Sequence, residues 1–175
     1  MIIKSHEFKT NKSSGNIHLF YGNNEGLKKD LISQNFTNKF EGSIFKYEER
    51  EIINSPENFY NNLFTNSFFE EKKLIIIMRV TDKILKIIKD ISQKKLENNQ
   101  IVLLSGLLEK KSKLRNFFEK DKILSCVPFY EDTEVSLSQL ARNFFMKKKI
   151  SISQETINLL TSRCGGDRQN LQNEL

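Results

Sequence analysis

Leu74-Ile-Ile-Ile-Met78 constrains the fold more than any other segment of this chain. A strand with one wet face alternates apolar and polar residues, whereas this run does not alternate at all. That is the pattern of a strand covered on both faces, and such strands sit inside parallel sheets flanked by helices. Four shorter β-like runs accompany it: Ile17-His-Leu-Phe-Tyr21, Ser43-Ile-Phe-Lys-Tyr47, Gln100-Ile-Val-Leu-Leu-Ser105 and Ile123-Leu-Ser-Cys-Val127, the last stopped by Pro128. Helix-period segments separate them. One starts near Glu25 and aligns Leu27, Leu31 and Ile32; one follows Ser55-Pro56-Glu57 and carries Phe59, Tyr60 and Leu63. Asp82 is placed to cap a third, with Ile84, Ile87, Ile88 and Ile91 on one face, and Lys113 to Phe118 forms a fourth. The expectation is an α/β domain with a five-stranded parallel sheet.

Beyond Phe129 the period changes. The acidic Glu131-Asp-Thr-Glu134 leads into a helical stripe of Leu137, Leu140, Ala141, Phe144 and Phe145. Ser153 caps a segment carrying Ile157, Leu160 and Cys164, Gly165-Gly166 breaks it, and Asp167 opens a helix with Leu171 and Leu175 on one face. The expected division is therefore 1–132 for the α/β domain and 133–175 for a small helical domain. Its last helix reaches Leu175 with no cap or polar tail, which reads as a domain cut short.

Composition narrows the classes. The chain has 175 residues and 38% hydrophobic content, enough for one core and a small appendage. No run is apolar enough for a bilayer, and the opening Met1-Ile-Ile-Lys-Ser-His-Glu-Phe8 is too short and polar for a signal peptide, so the expected location is cytoplasmic, with no membrane partner. Cys126 and Cys164 have neither CxxC spacing nor a nearby histidine, which argues against a disulfide framework or a metal site. The net charge of +6 is compatible with DNA, but the Lys-, Asn-, Ile- and Phe-rich composition of an AT-rich coding sequence accounts for it ahead of a dedicated DNA-binding stripe.

The first run ends at a glycine turn, Gly22-Asn-Asn-Glu-Gly26-Leu-Lys28-Lys29, where a P-loop would cradle phosphate. Laid against GxxGxGK[ST], Glu25 and Leu27 occupy glycine positions and Lys29 replaces the magnesium-binding hydroxyl, so only Lys28 matches. Gly22, Gly26 and Lys28 thus mark a degenerate P-loop that is not expected to bind ATP. A second test fails too, because Ile75-Ile-Ile-Met78 runs into Arg79 and not into the carboxylates that hold magnesium in such ATPases. His6 and His18 are isolated and no GxSxG occurs. No catalytic residue, metal site or cofactor is expected.

Asn66-Ser-Phe68-Phe69-Glu-Glu-Lys-Lys-Leu74 places two adjacent aromatics before charged residues and the buried run. Neighbouring side chains of a regular element cannot both enter one core. On spacing alone, an exposed anchor for a partner's apolar pocket and a pair folded under the sheet stand level.

Four segments together resemble the delta subunit of the bacterial replicative clamp loader, DNA polymerase III. They are Leu19-Phe-Tyr-Gly-Asn-Asn-Glu25; Ser67-Phe-Phe-Glu-Glu-Lys-Lys-Leu-Ile75; Leu103-Leu-Ser-Gly106 followed by Lys110-Lys-Ser-Lys-Leu114; and Ile152-Ser153 with Gly165-Gly-Asp167 and Asn173-Glu-Leu175. Phe68 stands where that family usually has Leu, and Gln169 and Asn170 replace paired arginines. The resemblance implies an AAA+-type domain, a helical lid, and a C-terminal collar domain absent from this chain. It also implies that the protein binds and opens the beta sliding clamp, working with gamma/tau and delta-prime subunits and meeting DNA through the assembled loader. Phe68 and Phe69 would plug the clamp's pocket, with Lys72 and Lys73 as rim contacts. Two rival readings are an active AAA+ ATPase or nucleotide kinase, and a stand-alone DNA-binding module.

Overall fold

The computed structural model describes residues 2–9, 15–38, 40–65, 72–94, 96 and 99–175. The elements run β1 (Ile17–Gly22), α1 (Glu25–Ile32), β2 (Ser43–Glu48), α2 (Glu49–Asn54), α3 (Pro56–Phe64), β3 (Lys73–Met78), α4 (Leu85–Ser92), β4 (Gln100–Ser105), α5 (Lys113–Lys120), β5 (Ser125–Phe129), α6 (Glu134–Lys148), α7 (Gln154–Arg163) and α8 (Arg168–Glu174). The five strands form one sheet in the order β2-β3-β4-β1-β5, with β3 between two neighbours as its sequence demands. Ile75 aligns with Phe45 on one side and Ile101 on the other, both in parallel register. Lys73 to Ile77 are all buried, so the missing alternation was a true sign of cover on both faces.

The chain divides into two compact units, Met1–Gly22 with Leu31–Pro128, and Asn23–Asp30 with Phe129–Leu175. In the first, Leu19, Ile75, Ile77, Ile101 and Leu103 pack beneath Phe59 and Leu63 of α3, Ile88 and Ile91 of α4, and Leu114 and Phe118 of α5. The opposite side of β1 carries an aromatic cluster in which His18 meets Phe8 and Phe36 edge-on or tilted, each at 5.3 Å between ring centres. The second unit has its own core of Leu137, Ala141, Ile157, Cys164 and Leu171. Both cysteines are buried free thiols, and burial pushes the Cys126 thiol up to about 12. Among the described residues no helix is long and apolar enough to cross a membrane.

Four local features depart from the sequence reading. Strand β5 begins at Ser125, two residues late, because the Asp121 carboxylate takes the amides of Ile123 and Leu124 into a turn and leaves Ile123 61% exposed. It also runs through Pro128. The Cys126 carbonyl faces outward to accept the Ile3 amide, and residue 128 shares that orientation two positions on, so the missing N–H falls on the edge and costs no ladder bond. Helix α2 is an extra element, and α1 continues into a π-helical turn over Ser33–Thr37 that buries Phe36. Finally, Asp82 does not cap its own helix. Thr81 does so, accepting from the Lys83 amide, while Asp82 reaches across to the start of α5. There it accepts from Ser112 Oγ at 2.6 Å and from the amides of Leu114 and Lys113 at 2.9 and 3.0 Å. Burial raises its pKa, but the bonds from Ser112, Leu114 and Lys113 outweigh it and hold the carboxyl below the ordinary range.

Candidate functional site at the glycine turn

The turn after β1 runs strand to glycine to helix, and several of its polar groups are paired within the chain. Gly22 adopts φ 128°, open only to glycine, and lets the strand turn. Asn24 then caps α1, its Oδ1 accepting the Leu27 amide at 2.9 Å, and the Glu25 amide donates to the Asn23 carbonyl at 2.9 Å. These amides are the kind of donors a helix N-terminus offers an anion. Lys28, at the lysine position of the motif, is only 2% exposed, and its Nζ lies 2.5 Å from Glu25 Oε1. The carboxylate that stands at a glycine position of the motif is thus the ion-pair partner of Lys28.

Gly26 is covered. A Cβ there would meet Cβ, Cγ and Cδ of Arg168 at 3.2–3.3 Å. The guanidinium continues past the turn to Asp132, Nε to Oδ2 at 2.7 Å and Nη2 to Oδ1 at 2.8 Å, with Nη1 at 3.5 Å from Asp30 Oδ2. Asn24 Nδ2 and Ser136 Oγ also donate to Asp132, at 2.7 and 2.6 Å. Gln172 Nε2 reaches both Asp30 oxygens, at 3.1 and 2.9 Å. Burial pushes the Asp132 carboxyl up, but hydrogen bonds from Arg168, Ser136 and Asn24 prevail and hold it below the ordinary carboxylate range. The bond to Asp132 raises Arg168 in turn, against the effect of burial.

At the end of β3, Arg79 takes a left-handed φ of 54° and points a largely exposed side chain at Glu48, Nη2 to Oε1 at 2.7 Å. The buried Glu49 carboxylate accepts the Thr81 amide at 2.6 Å and its hydroxyl at 2.9 Å. With Arg50 and Lys83 these residues line an open cleft of about 780 Å³. The cleft brings together cations and committed carboxylates, and its lining holds no histidine or cysteine. Among the described residues no three His, Cys, Asp or Glu side chains converge on a metal position.

Phe68 and Phe69 lie outside the described residues. Lys73, beyond them, is not a rim residue. It is 4% exposed, and its Nζ donates to the carbonyls of Asn62 and Thr65, both at 2.7 Å, closing the C-terminus of α3. Asn99 works beside it, accepting the Lys73 amide at 3.1 Å and donating to the Leu63 carbonyl at 2.9 Å. Sequence reasoning missed Asn24, Asp30, Asn99, Asp132, Arg168 and Gln172. Only Asn24 carried a local signal, as an N-cap residue directly before Glu25.

No family model matches the chain, and no curated protein matches it either. Solved structures do. The Bacillus subtilis DNA clamp loader delta protein superposes with a TM-score of 0.57 at 18% identity, covering 91% of this chain and 51% of that one. A structure of the replication initiator DnaA bound to AMPPCP and single-stranded DNA gives 0.56 at 12% identity, over 93% and 54% of the two chains. A point variant of Thermotoga maritima RuvB gives 0.54 at 10%, over 88% and 51%. The chain spans about half the length of these proteins. What it shares with them is the fold, an α/β domain on a five-stranded parallel sheet.

Proposed function

We propose that the chain is the N-terminal part of a clamp-loader delta subunit of bacterial DNA polymerase III, which binds and opens the sliding clamp during replication without hydrolysing ATP. The observation that carries this reading is the state of Lys28: in a fold built around phosphate handling, the phosphate lysine is buried against Glu25 at 2.5 Å. An AAA+-type domain so altered suits a member of the assembly that acts by contact. The fold likeness to a clamp loader delta protein and the ordered run Ser67-Phe-Phe-Glu-Glu-Lys-Lys-Leu-Ile75 support the same choice. Phe68 and Phe69 are the anchors in the clamp's apolar pocket, each worth about 1.5–3 kcal/mol if fully buried there. The gamma/tau and delta-prime subunits are the other partners, and DNA is met through the assembled loader.

The test is a pull-down of the cognate beta clamp by this chain without nucleotide. Capture by the native chain, lost in F68A/F69A with an unchanged circular-dichroism melt, is the expected result. A large drop in melting temperature would instead place the rings in the core. Tight Mg-ATP binding by calorimetry would restore the ATPase reading, and DNA binding with a steep salt slope but no clamp capture would favour a DNA-binding module.

A further inference from the structure

We infer that Arg168 is a positioning residue that takes the place of a phosphate over the glycine turn and holds the second unit closed with no ligand. Three observations converge on it. The first is space: the aliphatic stem of Arg168 lies within 3.2–3.3 Å of where a side chain at Gly26 would begin, so it occupies the ground directly over that glycine. The second is saturation. Asp132 receives four donors, two on each oxygen: Arg168 Nε and Asn24 on Oδ2, Arg168 Nη2 and Ser136 on Oδ1. A carboxylate has about four acceptor sites, so this one has none left for solvent or ligand. The third is connectivity. Through Asp30, Asp132 and Arg168 with Gln172, the network ties α1 to the residues before α6 and to α8, pieces 36 to 142 residues apart in sequence.

The arrangement also opposes an anion. A phosphate entering at Gly26 has to displace Arg168, and it then faces the Asp132 carboxylate, stripped of its guanidinium, and the Glu25 carboxylate already paired with Lys28. Repulsion and lost hydrogen bonds act together. The network therefore excludes nucleotide and supplies internally the cross-link a bound nucleotide would otherwise provide, and this holds whether or not the chain grips a clamp.

Hydrogen–deuterium exchange on the full chain tests it. R168M and D132N are each expected to speed exchange of the amides in 23–30 and 168–174 by about tenfold or more, while β3 and β4 amides keep their native rates. R168K, whose single ammonium cannot span both Asp132 oxygens, is expected to fall between R168M and the native chain. Mg-ATP and inorganic tripolyphosphate should leave native exchange unaltered. Native-like rates in both segments of R168M or R168K would overturn the inference. So would protection of 23–30 in the native chain by either phosphate compound. If R168M loses protection in β3 and β4 as well, R168K and D132N decide the matter on the same criteria.

Discussion

A His18→Leu substitution should leave stability at neutral pH unchanged or higher and should flatten its decline in acid. His18 is fully buried in β1, with Phe8 and Phe36 against its ring, and neither ring nitrogen has a hydrogen-bond partner among the described residues. Burial lowers its pKa from 6.5 to about 4. The unfolded chain therefore takes up a proton at a pH where the native chain still refuses one. The contribution of neutral His18 is complete above 6.5 and drains away as pH falls toward 4. At about 1.4 kcal/mol per pH unit, the native chain loses roughly 2 kcal/mol from this group between pH 7 and 5. Leucine does not titrate. Urea melts followed by circular dichroism at pH 7, 6 and 5 should show the difference between variant and native chain widening by about 2 kcal/mol, in the variant's favour. Using the difference cancels the other titrating groups, which both proteins share. Parallel stability profiles would refute the reasoning, since they would mean that His18 finds a partner or reaches water.

Lys73→Met keeps the buried stem but removes the ammonium from the Asn62 and Thr65 carbonyls, and should cost about 1–3 kcal/mol in urea denaturation; an unchanged midpoint would return Lys73 to the surface. Asp82→Ala strips the start of α5 of a hydrogen-bond acceptor for two amides and should cost about 1–2 kcal/mol. Because its native pKa is depressed, the Asp82 contribution is present above the unfolded value and lost as pH falls through the native one, so native and D82A chains should converge in stability in acid. Gly166 holds a φ of 82°, so Gly166→Ala should lower the melting temperature by an amount equivalent to about 1 kcal/mol, and an unchanged melt would mean that the turn relaxes freely.

The parts of the fold legible in the sequence are those written in consecutive residues. Leu74 to Met78 announced a strand with no wet face, and Ile84, Ile88 and Ile91 a helix face, because burial imposes a period on side chains. Helix α2 left no such trace. Glu49-Arg-Glu-Ile-Ile-Asn54 is short and charged, and although Glu51 accepts the Glu48 amide as a capping-box glutamate does, Glu48 itself stands at the N-cap, where the usual signal is a small hydroxyl. The glycine turn was half legible. Glu25 and Leu27 at glycine positions told against phosphate, but nothing in the spelling shows that Glu25 would pair with Lys28 or that Arg168 would cover Gly26. Arg168 carries no local signal, because its partners Asp132 and Asp30 lie 36 and 138 residues away.

Asp82, Lys73 and Asn24 share one physical task. A helix end leaves amides or carbonyls without intrahelical partners, and once such an end is packed against other structure, water cannot serve it and a side chain must. Asp82 does this for the amides of α5, Lys73 for the carbonyls of α3, and Asn24 for the first turn of α1, handing Asp132 a further donor. Asp82 lies 32 residues from Leu114, and Asn24 lies 108 from Asp132. Where the serving side chain is remote, as Asp82 is from α5, it is drawn from the segment the sheet topology delivers to that point, so its identity follows from the fold and not from neighbouring letters. The same reasoning covers the glycine turn. A helix N-terminus and a buried lysine need anionic or acceptor partners, and Glu25, Asn24 and Asp132 with Arg168 meet that need within the chain.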